Sequence, residues 1–340
     1  MGNTKSSFEN KSESNLPKII QNIRSKNILK KILNNLSNRK VLQIIQCNKN
    51  IQKKFGFEIN DYYKEFIKRI KIEIIPKYGE YGCFIHSESH YQVYFNDLKI
   101  DKKRNIFYNK ENVQKIKIII DDDIKTFKEL FKDCKCIKKI NFIKYDRKDI
   151  SDMSYMFYGC ASLVVANLSN LKTENVKDMS FMFYNCPSLK EVNLSNFNTK
   201  EVTNMKSMFS RCSSLEKIDL SNFNTKNAED MSYMFYECYS LNDINLSNFN
   251  TKKVKDMSHM FQGCQSLVEL NIPNFDFKNL PNIQLMFFGC SSLQSLHAKN
   301  LKSKDAKLMT FKGCSQEIID KFQNNESNDG DDEKDSCIIV

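Results

Sequence analysis

Six cysteines, Cys160, Cys186, Cys212, Cys238, Cys264 and Cys290, stand 26 residues apart without a slip, and one further step back reaches Cys134. Phe157, Phe183, Phe209, Phe235, Phe261 and Phe287 keep the same interval, as do Leu163, Leu189, Leu215, Leu241, Leu267 and Leu293. A fixed period of this length is the signature of stacked repeats, in which each unit buries its apolar face only against its neighbours. The chain therefore reads as a solenoid, and an extended surface is a better candidate for function than a catalytic pocket.

One unit reads D-M-S-x-M-F-x-x-C-x-S-L-x-x-I-x-L-S-N-F-N-T-x-x-V-x, with clear copies starting at Asp152, Asp178, Asn204, Asp230 and Asp256 and a weaker one at Asn282. A degenerate first copy runs through Phe127, Phe131 and Cys134, and a shortened last copy holds Met309, Phe311 and Cys314. Within a unit, Leu215-x-x-Ile218-x-Leu220 ends in the alternation of a short strand. Met205, Met208, Phe209 and Cys212 fall at i, i+3, i+4 and i+7, which predicts a short helix. Asn222-Phe223-Asn224-Thr225 is turn-like.

The segment Leu-x-x-Ile-x-Leu-Ser-Asn-Phe resembles the strand motif of leucine-rich repeats. The adjoining Met-Ser-x-Met-Phe-x-x-Cys-x-Ser-Leu resembles the BspA-like class, over about residues 121–322. The resemblance implies an α/β repeat solenoid: a leucine-rich-repeat horseshoe with a parallel β-sheet on its concave face and short helices on its convex face. It also implies a non-enzymatic role in surface recognition or adhesion.

In the predicted strand the residues flanking the Ile point away from the core. One outward column holds Val165, Glu191, Lys217, Asp243, Glu269 and Ser295; a second holds Asn167, Asn193, Asp219, Asn245, Asn271 and His297. Glu191, Asn193, Lys217, Asp219, Asp243, Asn245, Glu269 and Asn271 are thus the candidate recognition residues, suited to an extended protein ligand or to a self-satisfied polar ladder. The cysteine column reads as core packing, because Cys is among the most buried residue types and zinc sites need clustered ligands. Cys134 and Cys136 form an isolated C-x-C, Cys47 and Cys83 stand alone, and His86 and His90 make only a weak i, i+4 pair. No catalytic constellation, cofactor motif or metal-ligand set is legible.

The ends carry two lipidation patterns. Met1-Gly2-Asn3-Thr4-Lys5-Ser6 matches the N-myristoylation signal, with Gly2 as acceptor, and Cys337-Ile338-Ile339-Val340 fits C-a-a-X, with Cys337 as prenyl acceptor. One acyl chain binds membranes only marginally, so two signals are what stable anchoring requires. Lipid chemistry places such a protein on the cytoplasmic leaflet of the plasma membrane, whereas the family resemblance places it at the cell surface; a cytoplasmic location is the alternative. Of the net +11, residues 1–150 hold 33 Lys and Arg against 18 Asp and Glu, and residues 151–340 hold 19 against 23. A basic front half can meet an anionic membrane surface or nucleic acid, but it reads first as solvated helix faces, and no nucleic-acid partner is expected.

The resulting plan has five parts. Residues 1–15 are a polar, acylatable start, 16–75 a helical cap or F-box-like region, and 76–120 short strands leading into the solenoid. Residues 121–322 are the repeats, and 323–340 an acidic flexible tail. If the front helices recruit a partner, the chain is instead a cytosolic adaptor whose repeats select a target.

Overall fold

The computed structural model describes residues 70–87, 91–100, 104–120, 124–145, 149–277, 282–299, 311–324 and 337–339. Contacts divide the chain into two units; the described residues other than Tyr91 and Ile120 belong to the second, which runs through 70–88, 92–119 and 124–340. The helices expected over 16–69 lie outside the described residues. Where that expected helical region reaches 70–75 it is corrected, because Ile70–Pro76 is a strand with alternating burial. Ile70, Ile72 and Ile74 fall on one buried face, and β-branched residues in alternation suit a pleated sheet better than a helix.

This strand, β1, is followed by β2 (Gly82–Cys83), β3 (Tyr91–Phe95), β4 (Leu98–Ile100), β5 (Ile106–Phe107) and β6 (Ile116–Ile120). The repeats begin with β7 (Ile137–Lys144), which pairs antiparallel with β1 and parallel with β8 (Val165–Asn167). With β9 (Glu191–Asn193) they form one seven-stranded sheet of order β4-β3-β6-β1-β7-β8-β9. The strands ahead of the repeats are therefore continuous with the first rungs. Further along, β10 (Lys217–Ile218) pairs with β11 (Asp243–Ile244), and β12 (Glu269–Ile272) with β13 (Ser295–Lys299), all parallel and in register one unit apart. A helix, α1 (Gln316–Asn324), follows, and β14 (Cys337–Ile339) pairs antiparallel with β13.

The strand ladder is interrupted between these sheets. The wall that runs unbroken is the one predicted to be helical. There the expectation of helices on the second face is overturned: each unit makes a run of overlapping four-residue turns instead. In the unit from Asn204, the Met208 and Cys212 N–H groups close turns onto the Met205 and Phe209 carbonyls at 3.3 and 3.1 Å. The N–H groups of Met205, Ser207, Phe209 and Arg211 point along the stack and donate to Asp230, Ser232, Met234 and Tyr236 of the next unit at 2.7–2.9 Å. An α-helix would spend its N–H groups internally and leave none to join rungs. The turns need a left-handed residue at fixed places, here Ser207 (φ 54°) and Arg211 (φ 62°). The second of these places is Gly in other units, as at Gly263 (φ 76°), where no Cβ opposes the conformation.

Each wall opens with an Asx turn, in which the carboxylate or amide oxygen of Asp152, Asp178, Asn204, Asp230, Asp256 and Asn282 accepts the N–H two residues on, at 2.8–3.2 Å. These six residues also bridge in series from rung to rung. The core inside is a set of columns. The rings of Phe131, Phe157, Phe183, Phe209, Phe235, Phe261, Phe287 and Phe311 stack with centroids 5.1–5.8 Å apart and planes within 13°. Beside them the Met153, Met179, Met205, Met231 and Met257 side chains are fully buried. Burying each such side chain contributes about 1.5–3 kcal/mol of transfer free energy.

Candidate recognition surfaces and a cysteine–histidine cluster

The strands present both predicted columns in register. Glu191, Lys217, Asp243 and Glu269 are exposed in the first, and Asn193, Asp219, Asn245 and Asn271 in the second; Val165, Asn167, Ser295 and His297 are half-buried. A shallow depression of about 690 Å³ lies over the columns from Val165 and Asn167 to Asp243 and Asn245. The second column has local work: Asn193, Asp219 and Asn245 accept the N–H of Ser195, Ser221 and Ser247 at 2.9–3.1 Å, which closes the turn after each strand. The Ser221 N–H and hydroxyl hold the Asp219 carboxyl below its ordinary range. The first column varies in charge along the stack, and Glu269 reaches His297 at 3.5 Å.

Aromatic and arginine side chains, the residue types that dominate binding hot spots, sit on the turn wall instead. Tyr155 stacks on Phe181 at 4.8 Å, Tyr158 on Tyr184 at 4.9 Å and Tyr233 on His259 at 4.3 Å. The ladder lapses where Ser207 and Ser210 replace rings. There the Arg211 guanidinium lies 5.9 Å from the Tyr184 ring and 5.8 Å from that of Tyr236, and pairs with Glu237 at 3.1 Å. This half-buried ladder was missed because its places vary among Tyr, Phe, His, Ser and Gln, so no invariant column marks it. Their recurrence at the variable places of M-S-x-M-F-x was the signal that could have found it. A third surface carries Lys200, Lys226, Lys252 and Lys253 around a depression of about 420 Å³.

Of the lipidation residues, Gly2 lies outside the described residues, and Cys337 begins β14, opposite Lys299. No disulfide joins the described repeat cysteines; those from Cys134 to Cys290 are buried and Cys314 is half-buried. From Cys160 to Cys314 each thiol donates to the carbonyl of a Phe in the preceding unit, Phe131 to Phe287, at 2.9–3.2 Å. Burial pushes the thiols from Cys160 to Cys264 well up, that of Cys238 to about 12.

Cys83, His86 and Cys134, which the sequence leaves as unrelated residues, meet before the first full repeat, and their ligand atoms lie within 4.8 Å of one another. Cys83 is held by β2 against β5, and its carbonyl accepts the Cys136 thiol at 3.0 Å. The His86 N–H donates to the Leu130 carbonyl at 2.7 Å, which brings its Nε2 to 3.5 Å from Cys83 Sγ. A hydrogen bond from Cys134, with help from the Ile85 backbone and His86, lowers the Cys83 thiol to about 6 despite partial burial. Burial moves the Cys134 thiol the other way. His90 lies outside the described residues.

The family model described as Mycoplasma protein of unknown function, DUF285, matches residues 93–191, 125–243, 190–300 and 216–322. Those matches cover well over half of the chain, and the chain belongs to that family of repeat solenoids, consistent with its resemblance to BspA-like repeats. No curated protein matches the chain.

Proposed function

We propose that this is a non-enzymatic recognition protein that binds an extended protein ligand across the strand columns of its solenoid. The observation that carries the reading is the column of Glu191, Lys217, Asp243 and Glu269, four exposed side chains at the 26-residue interval, whose strands pair Val165 with Glu191, Lys217 with Asp243 and Glu269 with Ser295. Rungs repeat at about the 4.8 Å strand separation, so such a row suits a ligand that repeats rather than a compact molecule. The turn-wall ladder around Tyr184, Arg211 and Tyr236 supports a second reading, in which the ligand docks on that wall.

An array of extended peptides, probed with the full chain, separates the two. Charge reversal at Glu191, Asp243 and Glu269 together is expected to abolish the captured spots and leave melting unchanged. Loss of the spots only on Tyr184→Ser with Arg211→Ser moves the site to the turn wall, and capture indifferent to both sets rejects solenoid recognition.

Anchoring to the plasma membrane through lipid on Gly2 and Cys337 belongs to the same proposal and rests on the two sequence patterns. Membrane fractionation of Gly2→Ala, Cys337→Ser and the double variant tests it. An unaltered distribution in all three removes the anchor, and protease shaving of intact cells assigns the leaflet.

A further inference from the structure

The cysteine column has an end, and the end behaves differently. Every later cysteine finds a Phe carbonyl in the unit before it, as Cys160 finds Phe131 at 3.0 Å. No full repeat precedes Cys134, and its sulfur lies within 4.8 Å of Cys83 Sγ instead. His86 completes a group with two sulfur atoms and one imidazole nitrogen, close together and in one compact unit. We infer that Cys83, His86 and Cys134 form a binding site for a soft divalent cation, zinc foremost, which clamps the segment around β2 to the first rung.

The geometry carries the inference. Tetrahedral zinc, with Zn–S near 2.3 Å and Zn–N near 2.0–2.1 Å, holds a sulfur and a nitrogen ligand about 3.5 Å apart and two sulfurs about 3.8 Å apart. Cys83 Sγ and His86 Nε2 stand 3.5 Å apart already, and all three ligand atoms fall within 4.8 Å, so the closing movement is a small side-chain rotation. Two thiolates and an imidazole select zinc over magnesium or calcium, which take oxygen ligands. Backbone hydrogen bonds fix the ligand-bearing segment: the Cys136 thiol donates to the Cys83 carbonyl at 3.0 Å, and the His86 backbone N–H donates to the Leu130 carbonyl at 2.7 Å. His86 is exposed, so water, or a donor from a partner, takes the fourth position. Both cysteines bind as thiolates, and the thiol protons they carry leave to solvent on binding.

The experiment uses the full chain, reduced, stripped with chelator and titrated with Zn²⁺ against a chromophoric chelator, then with Co²⁺. One equivalent of Zn²⁺ and a thiolate-to-cobalt charge-transfer band are expected. Losing an outer-shell partner weakens metal binding about 10–100-fold, so His86→Ala and Cys83→Ser are expected to weaken it by about 100-fold or more. His86→Ala alters an exposed side chain, and circular dichroism with melting in chelator confirms that it folds. Zn²⁺ is expected to raise the melting temperature of the parent and not of either variant. Parent protein without the cobalt band, variants that bind like the parent, or a Cys83–Cys134 disulfide recovered by non-reducing peptide mapping from zinc-loaded parent would each overturn the site.

Discussion

The repeat cysteine is a donor as well as a filler. The Phe209 carbonyl accepts the Cys212 N–H of its own turn and the Cys238 thiol of the next unit, each at 3.1 Å, so one small residue packs beside the Phe stack and ties two rungs. Alanine would fill part of the space without the bond, and a charged residue could do neither. Cys212→Asp puts an unpaired carboxylate among fully buried side chains, an arrangement that costs about 3–5 kcal/mol when a partner is missing. Its cooperative melt is expected to disappear or to move down sharply; an unchanged melting curve would refute the buried column.

The same thiols set a pH dependence. A thiol held protonated in the fold, as at Cys238 near 12, ionises in the unfolded chain near 9. The unfolded state then binds fewer protons, so the thiol's contribution is whole below about pH 9 and is lost as pH rises toward 12. Each such thiol removes about 1.4 kcal/mol of stability per pH unit in that window. Urea unfolding between pH 8 and 10.5 is expected to show this alkaline loss, shallower by about one proton in Cys238→Ala; equal slopes would count against protonated core thiols.

At the scale of elements, the turn wall explains why a helical spacing misled. Two of these overlapping turns bury their first and fourth residues, here Met205 and Met208, then Phe209 and Cys212. That is the same i, i+3, i+4, i+7 pattern as one face of a helix. What separates the two is the left-handed residue in each turn and the direction of alternate N–H groups, neither of which apolar spacing records. The Gly at positions 159, 263 and 289 was the one visible hint of the positive φ.

The remaining corner depends on a hydroxyl. Thr225 Oγ1 donates to the Asn250 carbonyl at 3.0 Å and accepts the Asn250 N–H at 2.7 Å, and Thr199 and Thr173 do the same one and two rungs back. Thr225→Val keeps the shape and leaves both Asn250 groups without their partner, at about 1–3 kcal/mol for each group kept from water. A lowered urea midpoint with unchanged slope is expected; a midpoint within error of the parent would mean that water replaces the hydroxyl.

For the whole described unit, the exposed ends of the stack matter most. A terminal parallel strand offers unpaired backbone groups to any passing strand. At one end β1 and its neighbours continue the sheet, and at the other β14 lies antiparallel on β13, with His297 opposite Ile339 and Lys299 opposite Cys337. Removing residues 337–340 uncovers β13. The truncated chain is expected to self-associate with rising concentration in light scattering, and a truncation that stays monomeric would show that β14 does not guard this edge. A lipid on Cys337 and a strand at Cys337–Ile339 place different demands on the same residues, so the truncation also bears on the anchor proposal.

By itself the sequence determined the stacking, its period and its core. A residue repeated every 26 positions can only meet its equivalents, so the Phe, Met, Leu and Cys columns and the exposed row of Glu191, Lys217, Asp243 and Glu269 follow from the repeat. Tertiary structure decided the rest, because it depends on backbone direction and on pairs remote in the chain. The rungs are joined through turns rather than helices, since only outward N–H groups can bond the next unit. The Tyr–Arg ladder emerges only when those turns are stacked. Cys83 and His86 reach Cys134 only because β2 and the Leu130 carbonyl hold them there, a meeting that no spacing along the chain announces.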